Sequence, residues 1–225
     1  MKNCLRIFAL ALFATPVLAA PPLVTEDAGT LAPGACQLEI EQRNFRRSTE
    51  RDVLPACNLL FNSEMQLGFL HARPDDSPTE KRWLFQVKKT LWESEPEGLA
   101  LGIALGTIRL KGSAERAAER DNFVTVPLTG TVDKTTWSVN AGGTRNSAEG
   151  KWKRFLAAAI EHDLNDRVTL VGEVFGTKGE PTAAQIGGRY WIVNKKVQLT
   201  ASIGQERNGG RDGRWTSFGI RFEME

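Results

Sequence analysis

GLALGIALGTIRL, residues 98–110, decides the fold and has two incompatible readings. Gly98, Gly102 and Gly106 recur at every fourth residue, the spacing at which transmembrane helices pack closely. Leu99, Leu101, Ile103 and Leu105 alternate with Gly and Ala, the period of a strand with two unlike faces. The run is bounded by Glu95 and Glu97 on one side and Arg109 and Lys111 on the other. That is too short for a spanning helix, which takes about twenty residues, and enough for a tilted strand, which takes about 9–11. The neighbouring sequence decides for the strand.

Outward from this stretch, apolar residues fall at every second position again and again. Val53, Pro55, Cys57, Leu59 and Phe61 share one phase, as do Met65, Leu67 and Phe69, then Trp83, Phe85 and Val87. The same holds for Val124, Val126 and Leu128, for Val197, Leu199, Ala201 and Ile203, and for Phe218, Ile220, Phe222 and Met224. Repetition at period two is an all-β signature. About twelve segments result, near 35–45, 51–61, 64–73, 81–92, 98–110, 121–130, 134–143, 152–162, 166–176, 182–192, 196–205 and 214–224.

The connections sort by length. Asn62-Ser63, 94–97, Val132-Asp133, the surroundings of Asn165 and Val193-Asn194 are short. RPDDSPTE, KGSAERAAERD, GTRNSAEGK, GTKGEPT and RNGGRDGR are longer and polar, and they largely alternate with the short ones. This is the pattern of a single antiparallel up-and-down transmembrane-type β-barrel of about 12 strands, with short periplasmic turns and longer outer loops. A soluble periplasmic β-barrel or sandwich that binds an apolar ligand or a partner protein is the alternative reading.

The tryptophans fall at strand ends. Trp83, Trp152 and Trp215 lie at the inferred outer ends and Trp92, Trp137 and Trp191 at the inferred periplasmic ends, as membrane-interface aromatics would. On the opposite phase from the apolar residues stand Arg82, Lys88, Lys153, Glu161, Glu173, Arg189 and Arg221, candidate lumen charges that either select solutes or pair and fill the interior. Lys89 shares the apolar phase. At mid-bilayer that would cost about 2–4 kcal/mol, so a membrane barrel requires Lys89 near an interface.

Three domains are expected: a signal peptide at 1–19, a Pro-rich lead-in at 20–34 and the barrel at 35–225. Lys2 and Arg6, the apolar run Ile7 to Ala14 and Val17-Leu18-Ala19 form the export signal. The chain has 29 Lys+Arg and 27 Asp+Glu; loss of two basic residues with the signal leaves 27 − 27, a net charge of zero, which argues against a nucleic-acid partner. Cys36 and Cys57 remain as a lone pair in an oxidising compartment, so a disulfide is expected across the first hairpin. His71 and His162 stand apart, and no catalytic, metal or cofactor constellation is recognisable; Glu161-His162-Asp163 reads as a hairpin end.

The stretches PPLVTEDAGTLAPGACQLEIE (21–41) and LPACNLLFNSEMQLGF (54–69) resemble the outer-membrane barrel family named for the meta-pathway of phenol degradation. The likeness rests on Thr25, Asp27 and Ala28, on Cys36 in C-Q-L-E and on Cys57 in P-A-C-N, which match a Cys-containing branch. It implies a barrel in the outer membrane of a Gram-negative cell. Its expected partners are outer-membrane lipid, the outer-membrane assembly machinery and a small solute passed through a narrow channel. The chain ends Phe222-Glu223-Met224-Glu225, with Phe three residues earlier than the terminal aromatic that the assembly machinery reads.

Overall fold

The computed structural model describes residues 23–75, 78–94, 98–110, 120–146 and 150–224; the signal at 1–19 lies outside them. Twelve antiparallel strands close into one barrel in sequence order, with the last pairing back on the first. They are β1 (Cys36–Phe45), β2 (Ser48–Leu60), β3 (Ser63–Pro74), β4 (Glu80–Ser94), β5 (Leu99–Leu110) and β6 (Arg120–Val132). The ring continues with β7 (Thr135–Asn146), β8 (Trp152–Asn165), β9 (Val168–Thr177), β10 (Ala183–Val193), β11 (Val197–Glu206) and β12 (Arg214–Met224). Each expected segment corresponds to one strand, and closure leaves no exposed edge to pair with another chain.

The opening stretch is β5. Leu99, Leu101, Ile103 and Leu105 face outward, while Gly102, Ala104 and Gly106 face the lumen. Ala104 is fully buried there. The short turns gather at the end that carries Cys36 and Met224, which pair directly. Phe61 and Asn62 both take positive φ (56° and 50°), the left-handed pair that a tight hairpin demands. At the same rim the Lys89 ammonium reaches the Phe61 carbonyl at 3.3 Å, so its outward position falls at the barrel's end rather than its middle.

Inside and outside are reversed relative to a soluble protein. Among the described residues the buried set holds 25 polar or charged side chains and nine apolar ones, six of which are alanines. Leu105, Leu156, Ile160, Ile186, Ile203 and Phe218 are instead exposed on the outer wall. A folded chain in water hides such residues and shows the polar ones.

Cys36 and Cys57 are bonded and sit opposite each other in the β1–β2 register. Four tryptophans, Trp83, Trp92, Trp137 and Trp152, face outward near strand ends. Trp92 does so because an irregularity between Thr90 and Trp92 shifts its register and pairs it with outward Leu101. Two expectations are corrected. Trp215 is an interior residue, 6% exposed, packed on Phe45 and Phe175 over side-chain-free Gly204. Trp191 pairs with buried Gln198 and lines the cavity at the short-turn end. Both follow the inward phase of their strands, and their rings fill the barrel rather than meet its surroundings.

Candidate functional site

The lumen is crossed by the chain's own N-terminal segment. Residues 24–31 run through the barrel as a strap held almost wholly by polar contacts, and Thr25, Asp27, Ala28 and Leu31 are buried. At one end the Glu173 carboxylate accepts the Val24 and Thr25 backbone N–H groups and the Thr25 hydroxyl, with Val24 N at 2.8 Å. Asn140 of β7 treats Glu26 as a strand partner would, accepting its N–H at 2.7 Å and donating to its carbonyl at 2.8 Å. Thr129 of β6 accepts the Ala28 N–H and Thr90 of β4 donates to the Ala28 carbonyl, at 2.9 and 2.8 Å. At the other end the Leu31 N–H reaches Glu64 at 3.0 Å and its carbonyl takes a bond from Asn58 at 2.6 Å.

A strap without secondary structure needs such partners, because an unpaired buried backbone group costs about as much as a lost hydrogen bond. It also needs room. Gly102 provides it: a β-carbon there would stand 3.0 Å from the Ala28 carbonyl oxygen and 3.2 Å from its α-carbon. Gly102, the middle glycine of the repeat 98–106, is thus the socket of the strap.

Lys88 is the electrostatic centre of this seat. Its ammonium, 2% exposed, lies 3.1 Å from Asp27, 3.4 Å from Glu26 and 3.8 Å from Glu64. Three carboxylates share one cation, and burial pushes the Asp27 carboxyl up to about 7 against the pull of Lys88.

The other expected lumen charges divide by depth. Arg189 and Glu161 form a buried ion pair. Arg221, also buried, contacts Glu223 at 2.6 Å and approaches Glu39 at 3.8 Å. Glu173 anchors the strap. Arg82 and Lys153 instead lie at the far rim, half exposed, on Glu80 at 2.6 Å and Glu180 at 3.4 Å. His162 is exposed and shares a bond with Thr135 at 2.9 Å, the hairpin-end position expected of it.

The acids of the first strands were not among the expected site residues. Glu39, Glu41, Asp52 and Glu64 are all buried in the lumen, as are Gln37 and Gln66. Among the described residues the buried charges come to seven carboxylates (Asp27, Glu39, Glu41, Asp52, Glu64, Glu161, Glu173) against three cations (Lys88, Arg189, Arg221). Gln37, Glu39 and Glu41 at alternate positions were the signal that could have found them.

Space remains beside the strap. A cavity of about 460 Å³ opens at the short-turn end, lined by Glu161, Arg189, Gln198, Arg221 and Glu223, with Leu31 and Ala32 of the strap on one side. A second hollow, of about 650 Å³, lies outside the lumen, on the outer wall near the far end against Ile186, Ile203, Thr216 and Asn44. Beyond the luminal cavity the inner wall of β11, β12 and β1 carries Thr200, Ser202, Ser217, Glu39 and Glu41, all buried.

A family model described as uncharacterised conserved protein UCP029691 matches residues 8–224, and the chain belongs to that family. Comparison with curated proteins found no match. Among solved structures it is similar to the KdgM porin in complex with disordered oligogalacturonate, with a TM-score of 0.63 at 9% identity over 85% of this chain and 99% of that one. It is similar to the NanC porin, at 0.59 and 7%, over 84% and 99%. Outer membrane phospholipase A from Escherichia coli also superposes, at 0.50 and 12%, over 91% and 93%. These likenesses establish the fold, that of outer-membrane porin barrels. Of the resemblance on residues 21–41 and 54–69, the barrel is what they support.

Proposed function

We propose that the chain is an outer-membrane barrel that passes small solutes through a lumen narrowed by its N-terminal strap. The reversal of polarity carries this reading: an apolar outer wall suits lipid, and a wall of buried acids, amides and hydroxyls suits a hydrated passage. A soluble sandwich or barrel would leave 29 large apolar side chains exposed among the described residues, far beyond the scattered few a soluble surface tolerates. Since the same fold carries a phospholipase, the channel reading rests on the lumen rather than on the fold.

Residues 1–19 then serve as the export signal, and 20–34 as the source of the strap rather than a separate lead-in. The likeness to the meta-pathway family points the same way and names no solute. Trp83, Trp92, Trp137 and Trp152 sit where headgroups would meet the wall. Insertion by the outer-membrane assembly machinery belongs to the same reading.

The test is electrical. Purified protein reconstituted into planar bilayers should give small, discrete conductance steps, and removal of residues 24–31 should enlarge them. Folded, inserted protein that passes no current in either form would rule the channel out.

A further inference from the structure

The strap's hydrogen bonds among the described residues run to β2, β3, β4, β6, β7 and β9, and none to the wall of β11, β12 and β1. That opposite wall has an unusual chemistry. Gln37 Oε1, Glu39 Oε1 and Glu41 Oε1 on β1, with Gln198 Oε1 and Thr200 Oγ1 on β11, are buried and have no hydrogen-bond partner among the described residues. Their side chains are between 3% and 9% exposed. Two donors there, Arg43 Nε and Arg221 Nε, are unpartnered as well, and Glu41 also takes the Ser217 hydroxyl, so acceptors exceed donors by five atoms to two. Such a surplus of buried acceptors is costly and calls for something that brings N–H or O–H groups.

The register places these groups side by side. Glu39 pairs with Arg221, which pairs with Gln198; Glu41 pairs with Gly219, which pairs with Thr200. Charge favours a cation. From β10 round to β2, Glu39, Glu41, Glu50, Asp52 and Glu223 face three guanidiniums, those of Arg43, Arg189 and Arg221, and Arg189, beside Thr200, is held by Glu161 of β8. Arg43 is held by Asp52 at 2.8 Å and Glu50 at 3.4 Å, and Arg221 by Glu223 at 2.6 Å, so Glu41 lies in neither pair and Glu39 is only approached, at 3.8 Å.

The shape excludes a compact ion. Gln37, Glu39 and Glu41 are spaced along a strand by about 6.8 Å each, so the acceptors form a line rather than a shell. A bound metal needs several oxygens within about 2.6 Å of one point, and no such group occurs among the described residues. A linear chain with an ammonium at each end matches the line.

We infer that the β11–β12–β1 wall is a binding site for linear organic cations of the diamine and polyamine class, and that it makes the passage prefer cations. This rests on the reading of the barrel as a channel. It also sets the chain apart from the oligogalacturonate-bound porin it resembles in fold, since a polyanion would meet this wall with like charge.

The experiment uses the full mature chain in planar bilayers under a KCl gradient, with 1,4-diaminobutane and tetramethylammonium as probes. The expected result is a reversal potential on the potassium side. Diaminobutane should block the current, and tetramethylammonium, which has no N–H donor, should block at least about tenfold more weakly. Glu39→Gln with Glu41→Gln should cut the block about tenfold and lower the cation preference. Gln198→Leu with Thr200→Val, on the facing strand, should weaken the block while leaving the charge unchanged. Heat-shifted gel mobility checks that each variant folds.

Anion preference, or equal block by the two probes, would overturn the site and leave the channel standing. If no current flows, the channel reading fails by itself. Calorimetric titration of diaminobutane into the detergent-folded barrel then decides the site: binding lost in the Gln variants upholds it, and no binding to the parent chain refutes it.

Discussion

Lys88 holds the strap because one buried ammonium answers three carboxylates. Replacing Lys88 with Met leaves Asp27, Glu26 and Glu64 with no cation, and breaking a buried pair in this way costs about 3–5 kcal/mol. We expect K88M to lower the urea midpoint of the folded barrel and to raise its conductance. Asp27 adds a pH dependence. Its carboxyl titrates at about 7 in the seated strap against 3.8 for the ordinary group, so the seated form keeps a proton that a released strap gives up. Its share of the strap's stability is full below about 3.8 and is lost as the pH rises through about 7. Conductance should therefore climb between those limits, and Asp27→Asn should flatten the climb; an unchanged slope in D27N would assign it elsewhere. At this scale the sequence was half legible. Lys88, Glu173 and Arg221 stand out because their strands alternate cleanly. Glu39 and Glu41 do not, because Gln42 and Asn44 make the outer half of β1 polar on both faces and hide its phase.

Elements were easier to read than their interior. The strand segments were visible because a wall with lipid on one side and water on the other imposes period two along its whole length. The strap was invisible for the opposite reason: residues 24–31 have no period and are buried by hydrogen bonds from six different strands. Thr25, Asp27 and Ala28 were marked only by resemblance, with nothing to say that they lie inside the barrel. Trp191 and Trp215 were misplaced because position along a strand was weighed above phase. The socket gives a direct test of the strap. A leucine at Gly102 would meet the Ala28 backbone and Pro127, both within 3.2 Å of a β-carbon there. Gly102→Leu should leave the barrel folded and raise conductance as strap removal does; an unaltered current would mean that the strap does not limit flow. The disulfide belongs to this scale too. It closes 21 residues of chain, whose lost freedom in the unfolded state is worth about 3 kcal/mol. Cys36→Ser with Cys57→Ser should lower the urea midpoint without altering ion preference.

For the molecule as a whole, the decisive feature is where its polarity lies. Buried glutamates, glutamines and serines around a crossing strap make a poor core for a water-soluble protein, and a wall of leucine, isoleucine and phenylalanine makes a poor surface for one. Both become reasonable when lipid surrounds the barrel and water or solute fills it. That account stands or falls on the solvent of the outer wall, and the direct measurement is fractionation of the producing cell, with a urea wash and a comparison of heated and unheated gel mobility. The chain should stay in the urea-resistant outer membrane and run as a compact band that shifts on boiling. Release into the soluble periplasmic fraction would contradict the account, and the apolar wall would then have to be covered by another protein.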